Sequence, residues 1–177
     1  MNKITAKQSN PFSTGGGGVN FEIRVQAVFV TLMMTGGFAP CLPAWPINKI
    51  KLQGKYKGFD TDDLIIFTKS PDGEKERKLL GQIKHSISIT EDNKEFGKVI
   101  QAAWNDFKNP KLFTKESDSI VLITGPLSVS DINDVRIILE WARDSEDASD
   151  FLTKVNLVNF SSNAKRKKLR AFQKWRC

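Results

Sequence analysis

Cysteine is scarce and poorly placed for chemistry, because Cys41 and Cys177 are the only two in the chain. Two such distant cysteines make neither a disulfide framework nor a thiolate zinc site, so a reducing cytoplasm is the expected compartment. Long apolar runs are missing as well. No uninterrupted stretch approaches the roughly 20 residues that a membrane helix needs, and no membrane partner is expected. The N-terminus lacks the basic-then-apolar order of a secretory signal. Excess charge is absent from most of the chain. The net charge is +7, but seven basic residues (Lys165, Arg166, Lys167, Lys168, Arg170, Lys174 and Arg176) lie in 165–177, where there is no acid. The other 20 basic residues match the 20 acids of 1–164. The body is therefore neutral, and a high pI alone argues little for nucleic-acid binding.

What the chain does have is material for one folded domain. At 177 residues, 40% hydrophobic and 27% charged, it has enough apolar sequence for a real core and is not disordered as a whole. The stretch Gly58–Ser88 organises it. Asp60-Thr61-Asp62-Asp63 leads into the apolar run Leu64-Ile65-Ile66-Phe67, then Ser70-Pro71-Asp72-Gly73, then Leu79-Leu80-Gly81-Gln82-Ile83-Lys84-His85. Ser-Pro-Asp-Gly suits a type I turn, with proline presetting φ at the second position. Folding the hairpin about residues 72–73 brings Asp62 and Asp63 opposite Gln82 and Lys84, within a residue or two. Gln82 and Lys84 are two apart and share one face of their strand.

Around this hairpin, the polar segment 1–18 ends in Gly15-Gly16-Gly17-Gly18. It lacks the Gly-Lys-Ser/Thr ending of a phosphate loop and reads as a flexible linker. A helix is expected over Asn20–Met34, with Asn20 as cap and Phe21, Val25, Val28 and Leu32 as its core stripe. Glu22 then lies in the first turn, where the helix dipole favours its ionised form, and shares a face with Gln26. Prolines 40, 43 and 46 keep Phe38–Pro46 irregular. Asn48–Lys57 reads as a strand with a basic face carrying Lys49, Lys51, Lys55 and Lys57. These lysines suit contacts to a nucleic-acid backbone, and they equally suit a solvated edge strand.

After the hairpin the second strand is expected to run to about Glu91. Asp92–Lys108 reads as a helix stopped by Asn109-Pro110. Ser119–Thr124 reads as a strand buried on both faces. Helices follow from Ser130 or Asp131 to about Arg143, over Ala148–Leu157, and over the basic segment Ser161–Trp175. The helix–strand pair after Lys84 forms a βαβ unit, so the Gln-x-Lys strand and Ser119–Thr124 should be parallel neighbours. The fold class is α/β, a sandwich with a mixed central sheet. The last helix has apolar residues with no partner evident in the sequence. That suggests a module at the N-terminus of a longer protein.

Acid, amide and lysine at neighbouring strand ends suit phosphodiester hydrolysis. Mg²⁺ takes one or two carboxylates and keeps several waters. It polarises phosphate and lowers the pKa of bound water. A lysine stabilises the developing negative charge. Asp63 or Asp62, Gln82 and Lys84 supply these parts, with Glu22 as an acid reaching in from the first helix. Singly, each has a plainer reading, and Glu22 in particular suits a dipole-stabilising surface acid. His85, the only histidine, follows Lys84 and so faces away from the site, which makes it structural.

The ordered set (Glu on a first helix, Asp opening a strand, then a strand with Gln-x-Lys) resembles the PD-(D/E)XK nuclease superfamily, in its Mrr-like Gln-x-Lys branch. The stretches 17–22, 60–66 and 79–86 resemble the nuclease effector modules at the N-termini of bacterial anti-phage proteins, including STAND-type NTPases and nucleotide-activated nucleases. The resemblance implies a restriction-endonuclease-like α/β/α sandwich over 19–160, preceded by a flexible 1–18 and followed by a basic helix, 161–177. It implies an Mg²⁺-dependent endonuclease, with Mn²⁺ as an alternative metal, acting on double-stranded DNA and forming a homo-oligomer when activated. Glu22, Asp63 (Asp62 as second choice), Gln82 and Lys84 carry over as site residues, with Asp63, Gln82 and Glu22 on the metal. Gln82 departs from the acid of the superfamily's name, which removes one charged ligand. Two other readings stand beside this one: a non-catalytic nucleic-acid-binding or oligomerisation module of the same fold, and an RNA-directed nuclease.

Overall fold

In a computed structural model, which describes residues 16–54 and 58–175, Ser70–Gly73 is a closed turn. The Gly73 N–H donates to the Ser70 carbonyl at 2.8 Å. Gly73 sits at φ +76°, in the left-handed region that glycine enters without strain. The turn joins β2 (Leu64–Lys69) to β3 (Glu76–Lys84) as an antiparallel pair. Its register runs from Lys69 opposite Glu76 to Leu64 opposite Gly81. One step further along that ladder, Asp63 falls opposite Gln82, within the residue or two expected of Asp62 and Asp63.

The sheet has four strands in the order β1-β2-β3-β4, with β1 (Ile47–Leu52) antiparallel to β2 and β4 (Ser119–Thr124) parallel to β3. The β3–β4 crossover contains α2 (Lys94–Lys108). One face of the sheet packs on α1 (Gly16–Met34): Phe29, Leu64, Ile66, Leu79 and Ile83 form that core. The other face packs Ile65, Phe67 and Leu80 on Phe113 and on Phe107 of α2. A third cluster joins Phe96 of α2 to Val135 of α3 (Val129–Arg143) and Ala171 of α5 (Asn163–Lys174); α4 (Ala148–Asn156) connects α3 to α5 along the chain. The architecture is a helix–sheet–helix α/β sandwich with a mixed sheet.

Several elements differ from expectation. α1 starts at Gly16, so Gly16–Gly18 form helix and Asn20 lies inside it. Gly17 is buried; tertiary packing, not propensity, sets this end of the helix. Phe29 takes the core place expected of Val28, which is 57% exposed. The helix is rotated so that Val25 and Phe29 point at the sheet. β1 ends at Leu52, paired with Leu64 where β2 begins; Gln53 then turns away at φ +51°. β3 ends at Lys84, opposite the last residue of β4, so residues 85–91 have no strand to pair with. Ser128, not Ser130 or Asp131, caps α3 through its side chain.

β4 is half-buried along its length and not enclosed on both faces. It is an edge strand, and a cavity of about 420 Å³ lies over it, lined by Leu122, Ile100, Val99, Val135 and Leu139, with Thr61 and Gln82 among the polar residues.

The apolar side of α5 has partners within the domain. Ala171 is fully buried, Phe172 meets Phe96 edge-on at 5.2 Å, and Trp175 lies against Gly97. Its cations are largely held by acids and carbonyls of the body. Lys168 bonds buried Asp131 and the Ile89 carbonyl, and Arg170 pairs with Glu91 at 3.0 Å. The described cations of this basic helix therefore act mainly as a structural clasp.

Gly97 sets how closely α5 can dock. A Cβ there would lie 2.5 Å from the Trp175 ring, so the indole must move. Gly97→Ala gains helix propensity of about 1 kcal/mol but overpacks this contact at a cost of about 1–3 kcal/mol. The expected result is a lower Tm with red-shifted indole emission; a raised Tm would mean that α5 docks loosely.

Candidate active site

Three strand residues expected at the site meet at one end of the sheet. Asp63 immediately precedes β2, and Gln82 and Lys84 close β3, all on the face that carries α2. The Asp63 carboxylate takes its contacts on one oxygen. Oδ2 accepts the Ile83 N–H at 2.7 Å and the Gln82 amide Nε2, and Lys84 Nζ lies 3.9 Å away. Those contacts fix the carboxylate's orientation and leave Oδ1 as its other donor atom. Gln82 is buried, 8% exposed, and turns its NH₂ toward Asp63. Lys84 keeps 31% of its side chain in solvent, so its ammonium is reachable by a substrate.

Glu22 comes from α1, in the second turn and not the first. Gln26, one turn on, donates through Nε2 to Glu22 Oε1 at 2.9 Å and to the Asp63 carbonyl at 3.1 Å. That amide ties α1 to the start of β2. Burial first, and then the Asp63 carboxylate, push the Glu22 pKa above 4.5; Asp62 adds to the rise, while Gln26 and Lys84 oppose it. Asp62 thus lies within electrostatic reach of Glu22, while Asp63 makes the contacts to Gln82 and Lys84. Lys84 also acts electrostatically on Glu95, in the first turn of α2.

The raised Glu22 pKa has a stability consequence. The folded state holds this proton more tightly than the unfolded chain, so folding costs nothing extra below pH 4.5 and loses stability as pH rises through the shifted value. Glu22→Gln is therefore expected to raise Tm at pH 7, with the gain vanishing in acid. A gain independent of pH would exclude this cause.

Asp106 holds the approach to Asp63. It is 2% exposed on α2 and accepts the N–H groups of Asp60, at 3.0 Å, and Thr61, at 2.7 Å. Asn105 beside it donates to Asp60 Oδ2 at 2.8 Å. The Gly54 N–H donates to the Asp62 carbonyl at 2.7 Å. Helical spacing places Gln26 on the face of Glu22 but does not show its bond to the Asp63 carbonyl. Asp106 could have been noticed because it follows Val99 and Ala103 on the inward stripe of α2, where a charge must be bonded.

Lys49 and Lys51 project from the edge strand on the same sheet face as the site. Their ammonium groups lie 3.9 Å and 5.3 Å from the Phe67 ring centroid. Lys55 and Lys57 lie outside the described residues. His85 packs edge-on against Phe21 of α1, 5.3 Å between centroids, on the face opposite Lys84, as expected.

Among the described residues, no group of three His, Cys, Asp or Glu side chains forms a metal-binding cluster. Mg²⁺ requires only one or two carboxylates. Asp63 Oδ1 and Glu22 are the two carboxylates that would hold it. Repulsion from Asp63 adds to burial in raising the Glu22 pKa; a bound cation would relieve that repulsion, so the residues fit a hydrated divalent ion. No helix among the described residues is long and apolar enough to cross a membrane. In comparisons with known proteins, no family model matches the chain, and neither a curated protein nor a solved structure matches it.

Proposed function

We propose that the protein is an Mg²⁺-dependent endonuclease that hydrolyses phosphodiester bonds of double-stranded DNA, acting in the bacterial cytoplasm as the effector of an anti-phage defence protein. The observation that carries the reading is the convergence of Glu22, Asp63, Gln82 and Lys84 at one sheet end, with Asp63 oriented by its neighbours. The anti-phage role and the duplex substrate rest on the resemblance of 17–22, 60–66 and 79–86 to such effectors.

Asp63 Oδ1 and Glu22 would hold Mg²⁺ or Mn²⁺. The metal would supply charge neutralisation at phosphate and a more acidic bound water. Gln82 orients Asp63 through its NH₂. Lys84 stabilises charge developing on the phosphate oxygens, or orients the attacking water through its N–H groups. Gln26 fixes Glu22 relative to Asp63. Lys49 and Lys51 supply salt-sensitive backbone contacts from the same sheet face.

The test is incubation of the full chain with supercoiled plasmid and, in parallel, structured RNA, with Mg²⁺, Mn²⁺ or EDTA. Nicked or linear plasmid with either metal and none in EDTA supports the reading. Cleavage of RNA alone moves the substrate class. Tight DNA binding without cleavage under all metals, including at high protein concentration, favours the non-catalytic module.

A further inference from the structure

The end of α2 carries an aromatic and basic pocket that the proposed site does not use. Trp104 and Phe107 stack with 5.6 Å between centroids and 17° between planes, and Phe107 also meets Phe113 at 5.8 Å. Exposed lysines reach these rings. Lys108 Nζ lies 5.5 Å from the Trp104 centroid, and Lys115 Nζ lies 4.7 Å from that of Phe107. Beside Phe107 is a cavity of about 300 Å³, at the lower end of the range for small-molecule sites. Phe107, Pro110 and Phe113 form its apolar wall, and Lys108, Lys115 and Glu116 supply charge.

This lining fits the chemistry of one nucleotide. A ring face that a solvated ammonium reaches is open to a planar base as well, and stacking tolerates every base because each has a π-face. Both lysines end long flexible stems, so their ammonium groups can leave the rings for phosphate. Glu116 can accept an N–H from a base edge. Lysine outnumbers available acid around the pocket. Lys108, Lys111 and Lys115 are exposed against Glu116, while the Asp106 and Asp118 carboxyls are buried and already bonded. Positive charge continues to β1, where Lys49 and Lys51 lie over Phe67, which shares a core cluster with Phe107.

We propose that this pocket takes an unpaired nucleotide of a nucleic-acid strand, with the base on Phe107 and the flanking phosphates on Lys108 and Lys115. A base within a duplex keeps its faces in the stack, so the pocket selects single-stranded or locally opened nucleic acid. Asn105 and Asp106, in the same turn of α2, hold Asp60 and Thr61 just ahead of Asp63. On the nuclease reading, on which this last step alone rests, the pocket directs cleavage to duplexes that contain an unpaired stretch.

The test is fluorescence anisotropy of labelled oligonucleotides of about 12 residues, with the full chain in EDTA to keep metal-dependent cleavage silent. Single-stranded oligo-dA and oligo-rA are compared with a DNA duplex of the same length. Binding of either single strand about tenfold tighter than duplex is expected, because the pocket reads base and phosphate and not the sugar. Lys108→Glu and Lys115→Glu are each expected to weaken single-strand binding and to flatten its salt dependence. Phe107→Leu is expected to weaken it about tenfold with the salt dependence unchanged, and Phe107→Tyr to bind as wild type. The two lysines are exposed, so their variants serve if Phe107→Leu fails to fold. A wild type that binds no single strand, a duplex bound as tightly, or folded lysine variants that bind as wild type would each overturn the proposal. Single-strand binding without plasmid nicking under any metal counts against the nuclease reading alone, and nicking without single-strand binding against the pocket alone.

Discussion

Lys84→Ala is expected to lower metal-dependent cleavage by about 10²–10³-fold, the usual loss when one donor to developing charge is removed. Stability should change little, because the ammonium is partly solvated and lies 3.9 Å from Asp63. The variant also removes an influence that lowers the Glu22 pKa. Any residual activity should therefore have its acid limb at higher pH. Asp63→Ala is a blunter test of the same site: it leaves the Ile83 N–H and the Gln82 amide without their acceptor, at about 1–3 kcal/mol. Asp63→Asn keeps an acceptor and separates metal binding from folding. Plasmid nicking rates, with thermal melts alongside, check both predictions. Full activity in Lys84→Ala would refute the site.

Asp106→Ala is expected to have the largest effect on stability, about 3–5 kcal/mol. The Asp60 and Thr61 N–H groups lose a shared carboxyl acceptor in a buried setting, and each buried donor left without a partner costs about 1–3 kcal/mol. That is a large part of the roughly 5–15 kcal/mol that holds a domain together. Asp106→Asn should recover only part of it, because one of the two N–H groups then faces an NH₂. Urea unfolding measures the loss. The clamp precedes Asp63 by only a few residues, so the variant should also weaken metal affinity at temperatures where it remains folded. An Asp106→Ala protein within 1 kcal/mol of wild type would show that the loop is held by other contacts.

The site was legible where chemistry is local. Ser-Pro-Asp-Gly located the hairpin turn, which brought Asp62 and Asp63 opposite Gln82 and Lys84 to within a residue or two; the exact register is set by the whole loop 70–75, whose ends pair Lys69 with Glu76. Strand alternation placed His85 away from Lys84. What escaped was set by distant partners. Where β1 and β3 end depends on where their neighbours stop. The rotation that buries Phe29 and exposes Val28 depends on how α1 lies on the sheet. The half-burial of β4 follows from its place at the sheet edge beside a cavity. Asp106 is paired with residues more than forty positions away, and nothing in its immediate neighbours announces that. The partners of α5 likewise come from α2, α3 and the 85–91 segment, which the local pattern of a basic helix does not reveal.

On the proposed function, Glu22, Asp63, Gln82 and Lys84 form one metal-sized site. The most direct measurement is Mn²⁺ titration of isotope-labelled protein, following the loss of backbone amide signals by paramagnetic relaxation. The amides of Glu22, Asp63, Gln82, Ile83 and Lys84 are expected to vanish first, Mg²⁺ to compete, and Asp63→Asn to abolish the pattern. Signals lost first elsewhere, or an unchanged pattern in Asp63→Asn, would contradict it.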